Sequence, residues 1–127
     1  MSLPIRAGLC LLVCSPVAAG IAWLFYRCGS ATLQEPNPIP FAFATQRVDT
    51  TGVEITPVGS SGKVWLQANR QQHPDQDAMT QLLRKQGWKL QDVAGAERFY
   101  IKAGRTLRVY ERMFTNRYMT FKADAVP

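Results

Sequence analysis

The longest run of apolar positions lies at the start of the chain. "AGLCLLVCSPVAAGIAWLFY", residues 7–26, carries no charged side chain over 20 positions. As a helix rising about 1.5 Å per residue, such a segment reaches about 30 Å, the thickness of a bilayer's hydrocarbon core. Arg6 and Arg27 bracket the run, and Trp23 and Tyr26 stand near one end, where interfacial aromatics collect. The pattern predicts a single transmembrane helix within residues 1–29. Pro16 falls in mid-span, which membrane helices tolerate where the freed carbonyl finds a partner. A cleaved signal peptide is the competing reading, with Val17-Ala18-Ala19 or Gly29-Ser30-Ala31 as the small residues before a cut. Against it, the run is longer than a signal core and ends in the bulky Trp23-Leu24-Phe25-Tyr26. The flanking charges nearly balance. The expected orientation puts the N-terminus in the cytoplasm and the rest of the chain outside it, or in the secreted product if the run is removed.

The pattern then changes to "LQEPNPIPFAFATQ". Pro36, Pro38 and Pro40 at alternate positions predict an extended, semi-rigid linker over 30–51 and argue against helix. Phe41 and Phe43 are candidates for docking it back onto the C-terminal domain.

From Gly52 to the end, residues 52–127, the pattern predicts a small α+β domain of order β-β-α-β-β-β-β: an antiparallel sheet with one packed helix. In "VEITPVGSSGKVWLQA" the turn residues Gly59-Ser60-Ser61-Gly62 predict a four-residue hairpin loop with Ile55 opposite Leu66. "HPDQDAMTQLLRKQG" predicts the helix. Its start is marked by His73 as N-cap, Pro74 in the first turn and the acidic Asp75 and Asp77; its end is marked by Arg84, Lys85 and Gly87. Met79, Leu82, Leu83 and Gln86 form the inward stripe, and Trp88 covers the same core.

The last strands alternate by position. Placing Phe99, Ile101, Leu107 and Val109 together in the core requires an odd connection, met by a three-residue loop at Lys102-Ala103-Gly104. That loop sets Arg98 opposite Arg108. A two-residue Ala-Gly loop is rejected because it buries Arg98 and Lys102 beside Leu107 or exposes Phe99. A turn at Thr115-Asn116-Arg117 puts Met113 opposite Met119 and Glu111 opposite Phe121, so Glu111 points inward, the weak spot of the register. The side away from the core then displays Arg98, Tyr100, Arg108, Tyr110, Arg112, Phe114, Tyr118 and Lys122 as a candidate interaction face.

Charge sharpens that picture. The chain has net charge +6, and residues 84–122 hold ten Lys or Arg against Asp92, Glu97 and Glu111. Cations interleaved with rings suit an acidic protein surface, lipid headgroups, another anionic polymer or nucleic acid. Chemistry beyond binding has little to work with. The three cysteines, Cys10, Cys14 and Cys28, all precede the domain, and His73 is the only histidine. No Ser-His-Asp set, thiol nucleophile, metal-ligand spacing or phosphate-binding glycine turn is present, so no catalytic residue, metal or cofactor is assigned. The expectation is a membrane-anchored interaction domain outside the cytoplasm, such as an accessory subunit of a membrane or envelope complex, with another protein as partner. The alternative is an anionic-polymer or nucleic-acid binder; a small enzyme using scattered carboxylates comes third.

Overall fold

The computed structural model describes the backbone of residues 3–127 and the side chains from Ser15 onward. The elements are α1 (Leu3–Cys28), a 3-10 turn (Gly29–Leu33), α2 (Ile39–Thr51), β1 (Ile55–Pro57), β2 (Val64–Ala68), α3 (Ala78–Lys85), β3 (Lys89–Ala94), β4 (Glu97–Lys102), β5 (Arg105–Thr115) and β6 (Tyr118–Ala123). The expected α+β class and the β-β-α-β-β-β-β order after Gly52 are observed. All six strands form one antiparallel sheet in the order β1-β2-β6-β5-β4-β3.

The N-terminal apolar run lies in α1, with Pro16 inside the helix. Among the described residues no helix is long and apolar enough to cross a membrane. The first part of the expected span, residues 7–14 with Cys10 and Cys14, lies outside the described side chains.

The extended linker expected over 30–51 is not extended. It forms the 3-10 turn and then α2. The prolines that argued against helix instead start one. Pro38 is the N-cap and Pro40 lies in the first turn, where a missing N–H breaks no intrahelical bond. The Pro38 carbonyl accepts from Ala42 N at 3.0 Å. Gly52 ends the helix in the left-handed region (φ 69°), its N–H donating to Val48 O at 3.1 Å.

Because α2 is a helix, the sheet is covered on both faces rather than one. On one side, Met79, Leu83 and Trp88 pack on Trp65, Tyr100, Leu107, Val109, Phe121 and Ala123. On the other, Cys28, Ala31, Ala42, Ala44 and Val48 pack on Val58, Leu66, Phe114 and Tyr118. This two-sided burial corrects the first hairpin: Leu66 pairs with Thr56, and Ile55 pairs with Gln67, one residue from the expected register. Leu66 faces α2 while its neighbours Trp65 and Gln67 face α3, so an apolar residue on either side of β2 finds a core.

The β4–β5 hairpin is also corrected. Lys102 pairs with Arg105 across a two-residue turn, so Arg98 pairs with Val109, Phe99 with Arg108 and Tyr100 with Leu107. Ala103 (φ 49°) and Gly104 (φ 74°) both occupy the left-handed region, as a type I′ turn requires. Arg98 and Tyr100 therefore point under α3, and Phe99 shares the opposite face with Arg108. The β5–β6 register holds as expected, with Met113 opposite Met119 and Glu111 opposite Phe121, and a bulge lies between Met113 and Thr115.

The rejected register is stable because the buried arginine has partners. Arg98 is 2% exposed. Its Nη1 donates to Asp77 Oδ2, and its Nη2 donates to Glu111 Oε2 at 2.5 Å. The guanidinium also lies 4.9 Å from the centroid of the Phe121 ring. Burial works against the arginine's charge, but Asp77, Tyr100 and Glu111 outweigh it and hold the group more firmly protonated than usual. Asp77 is the true N-cap of α3, accepting from Thr80 N at 2.9 Å, in place of the expected His73. His73 is exposed and contacts Asp75. Met79 N is satisfied by Gln67 Oε1 at 3.1 Å, so the start of α3 is tied to β2 as well as β4.

Removing Asp77 leaves Arg98 without its most buried counter-charge. Asp77→Ala should lower the unfolding free energy by about 3 kcal/mol or more in a denaturant titration, far more than a surface Asp→Ala change. Replacing Arg98 and Asp77 together by Met and Leu should recover a large part of that loss. At the hairpin tip, Ala103→Asn should stabilise the chain by roughly 0.5–1 kcal/mol, since Asn adopts the left-handed conformation at lower cost than Ala. An unchanged denaturation midpoint would contradict the turn assignment.

Candidate functional site

The sheet face opposite α3 is divided in two. Over β1, β2 and β6 it is covered by α2 and the end of α1, while over the β3–β5 half it stands open. Of the eight residues predicted for an interaction face, Arg108, Tyr110, Arg112 and Lys122 are exposed on the open part and its border with α2. Tyr110 pairs with Lys122 and Arg112 with Thr120, so these side chains form adjacent rungs of one surface. Phe114 and Tyr118 are on the same side of the sheet but buried beneath α2. Arg98 and Tyr100 lie on the other face, buried under α3; the Tyr100 hydroxyl contacts Thr80 Oγ1 at 2.8 Å, and burial raises its pKa. Phe99, assigned to the core by the sequence pattern, joins the open face beside Arg108.

Two of the open-face cations carry acidic partners from nearby chain. Arg108 Nη1 lies 4.0 Å from Glu97 Oε1, and Arg112 pairs with Glu35. Glu35 reaches the strand from the connection between the 3-10 turn and α2, so its ion pair draws that connection over β5. Phe41 continues the cover, its ring stacked on Phe114 at 5.0 Å between centroids. Beside them opens a cleft of about 360 Å³ lined by Glu35, Phe41, Val64, Tyr110, Arg112, Thr120 and Lys122. The site thus offers a ring, a flexible ammonium, hydroxyls and an apolar floor. Its charge is mixed rather than uniformly positive.

A second constellation, missed by the sequence reading, links this face to the N-terminal helix. Asp49 on α2 accepts from Arg27 Nη1 of α1 at 2.6 Å and from the Tyr118 hydroxyl of β6 at 2.5 Å, with Arg117 Nη2 at 3.5 Å. One carboxylate joins α1, α2 and the sheet. Burial, then the hydrogen bond and negative charge of Asp49, push the Tyr118 hydroxyl up from 10.0 to about 12. The signal available in the sequence was the pairing of Pro38 with Gly52 as helix start and stop, which would have brought Asp49 onto a helix. Nothing in the local pattern names its partners, which are 22 and 69 residues away.

No family profile, curated protein or solved structure shows a significant match to the chain.

Because Tyr118 holds its proton more tightly when folded, the stability it adds is intact below its ordinary pKa and is lost as the pH rises through about 12. Tyr118→Phe should cost about 1–2 kcal/mol at neutral pH through the lost bond to a charged acceptor. Between the two pKa values the wild type should lose stability with rising pH faster than Tyr118→Phe does. Parallel pH profiles for the two proteins would contradict the contact.

Proposed function

We propose that this chain is a membrane-tethered interaction module. Residues 7–26 hold it in a bilayer, and the α+β domain, outside the cytoplasm, presents the open part of its sheet to another protein of a membrane or envelope assembly. One observation carries the reading. From Ser15 to Ala22 every side chain of α1 is exposed and none is charged, whereas Cys28, at the other end, is buried in the domain. A helix built into a folded domain at Cys28 and exposed without a charged side chain over Ser15–Ala22 lacks, along that stretch, the charged face of a solvated helix. Hydrocarbon is the environment that removes this cost.

The mixed character of the open face supports a protein as the partner. Tyr110, Phe99 and Arg108 are residue types favoured in protein interfaces, and the cleft by Lys122 gives a place for an anchoring side chain. A polyanion binder would gain from cations free to replace counterions. Here Glu97 and Glu35 already engage Arg108 and Arg112.

Fractionation tests the tether. The full-length protein should stay with membranes through both alkaline carbonate and high-salt washes, and release by either would overturn it. For the face, Tyr110→Ala combined with Lys122→Glu should abolish recovery of the co-purifying protein from detergent-solubilised membranes while the chain stays in the membrane fraction. Undiminished recovery would move the contact elsewhere, and retention on a heparin or oligonucleotide resin that these changes abolish would favour the polyanion.

A further inference from the structure

The composition of α2 divides it into two halves. From Pro36 to Gln46 there is no charged side chain, and Arg47 and Asp49 follow. Ala42, Ala44, Thr45 and Val48 are buried. Ile39 and Phe43, four apart and so on one side of the helix, are 50% and 60% exposed. An isoleucine and a phenylalanine left in water on a well-packed helix call for a covering.

The contacts with α1 show where that side lies. The Phe43 ring meets Trp23 with centroids 5.4 Å apart, and Asp49 meets Arg27. Position 43 is thus level with 23, and position 49 with 27, so the two helices advance together. Ile39, one turn before Phe43, is level with residues further back in α1, inside the uncharged run that ends at Tyr26.

The geometry points to a lipid surface as the occupant: the first two turns of α2, with Ile39 and Phe43, lie in the headgroup boundary of the bilayer that α1 enters. This rests on the tether proposed for residues 7–26. With those residues in hydrocarbon, Trp23 stands about 5 Å inside the end of the span, and a ring in contact with it shares that depth. Interfacial helices sink their apolar side to about 5–10 Å, which suits Ile39 and Phe43 with Arg47 one turn above. Arg27 and Arg117 both pair with Asp49, and Arg47 stands two residues before it on α2, so three cations flank this carboxylate in a setting that suits anionic headgroups. A protein groove would meet the apolar pair equally well, but it would have to occupy the space next to Trp23 that the bilayer fills.

Tryptophan quenching in vesicles tests the depth directly. The full-length chain is reconstituted into phosphatidylcholine–phosphatidylglycerol vesicles with brominated acyl chains. The Trp23→Phe background is used, and Trp65 and Trp88, buried between α3 and the sheet, provide a constant signal. A tryptophan is then added by Ile39→Trp, Phe43→Trp or, on the open sheet face, Tyr110→Trp. All three sites are exposed, so the substitutions disturb little packing. The added emission at 39 and 43 should be lost to bromolipid, more at 39, and be protected from aqueous iodide; that at 110 should show the reverse. If 39 and 43 behave like 110 while the protein still floats with the vesicles after an alkaline wash, the α2 contact is refuted and the tether stands. If the protein does not float with the vesicles, both fall.

Discussion

An arginine carried into the space between a helix and a sheet must bring its counter-charge with it, and in this fold that requirement fixes three elements at once. Arg98 projects from β4, Asp77 stands at the start of α3, and Glu111 comes from β5. An isolated ion in such a site would cost many kcal/mol, so the buried Arg98 depends on its two carboxylate partners. Their meeting dictates that β4 runs with its even positions under α3 and β5 with its odd positions there. That parity admits only an even turn between them, which is why the strands connect through Ala103 and Gly104. The same Asp77 carboxylate caps the helix with its other oxygen, so the orientation of α3 on the sheet follows from the charge network rather than from apolar contact alone.

The opposite face is organised by a second carboxylate, with a different consequence. Asp49 receives Arg27 and Tyr118 in a setting still reached by solvent, so its contribution is geometric more than energetic. It fixes the end of α1 to α2 and both to β6. With Phe41 stacked on Phe114 and Glu35 on Arg112, the stretch between the N-terminal helix and β1 becomes part of the fold. The domain thus includes α2, and the end of α1 meets the sheet through a packed core in place of a spacer.

What the sequence made legible was periodicity; what it hid was partnership. The succession of elements along the chain after Gly52, the helix around Met79 and Leu83, the stop at Gly87 and the β5–β6 register follow from alternation and turn chemistry, and each is local. The error at the β4–β5 turn comes from charge. Glu111 pointing inward looked like a fault of register, and Arg98 pointing inward looked like grounds to reject one. Each is the other's solution, joined by an Asp77 that resembled an ordinary first-turn acid. Alternation sorts residues by solubility, and a buried ion pair inverts that sort at both ends. The prolines misled differently: Pro38 and Pro40 restrict the backbone in a way that serves an extended strand or a first helical turn, and only Gly52 distinguished the two. On the open part of the sheet, Arg108, Tyr110 and Arg112 of β5 stand exposed as the alternation predicts, Phe114 is covered by α2, and Phe99 takes the side expected for Arg98 and Tyr100.

The two-sided sheet also constrains how any partner would approach on the proposed tethering. α1 and α2 occupy one half of a face, and Phe99, Arg108 and Tyr110 occupy the remainder of that same face, so a bound protein would abut the helices and the bilayer beside them. The α3 side, by contrast, points away from α1. A contact made beside the anchor favours a partner that is itself held in the membrane, since two chains confined to one surface meet at a raised effective concentration and need fewer contacts of their own. On the proposed tethering, a shallow face with mixed charges and a cleft would be adequate for such a partner, where a freely diffusing one would require a larger apolar patch.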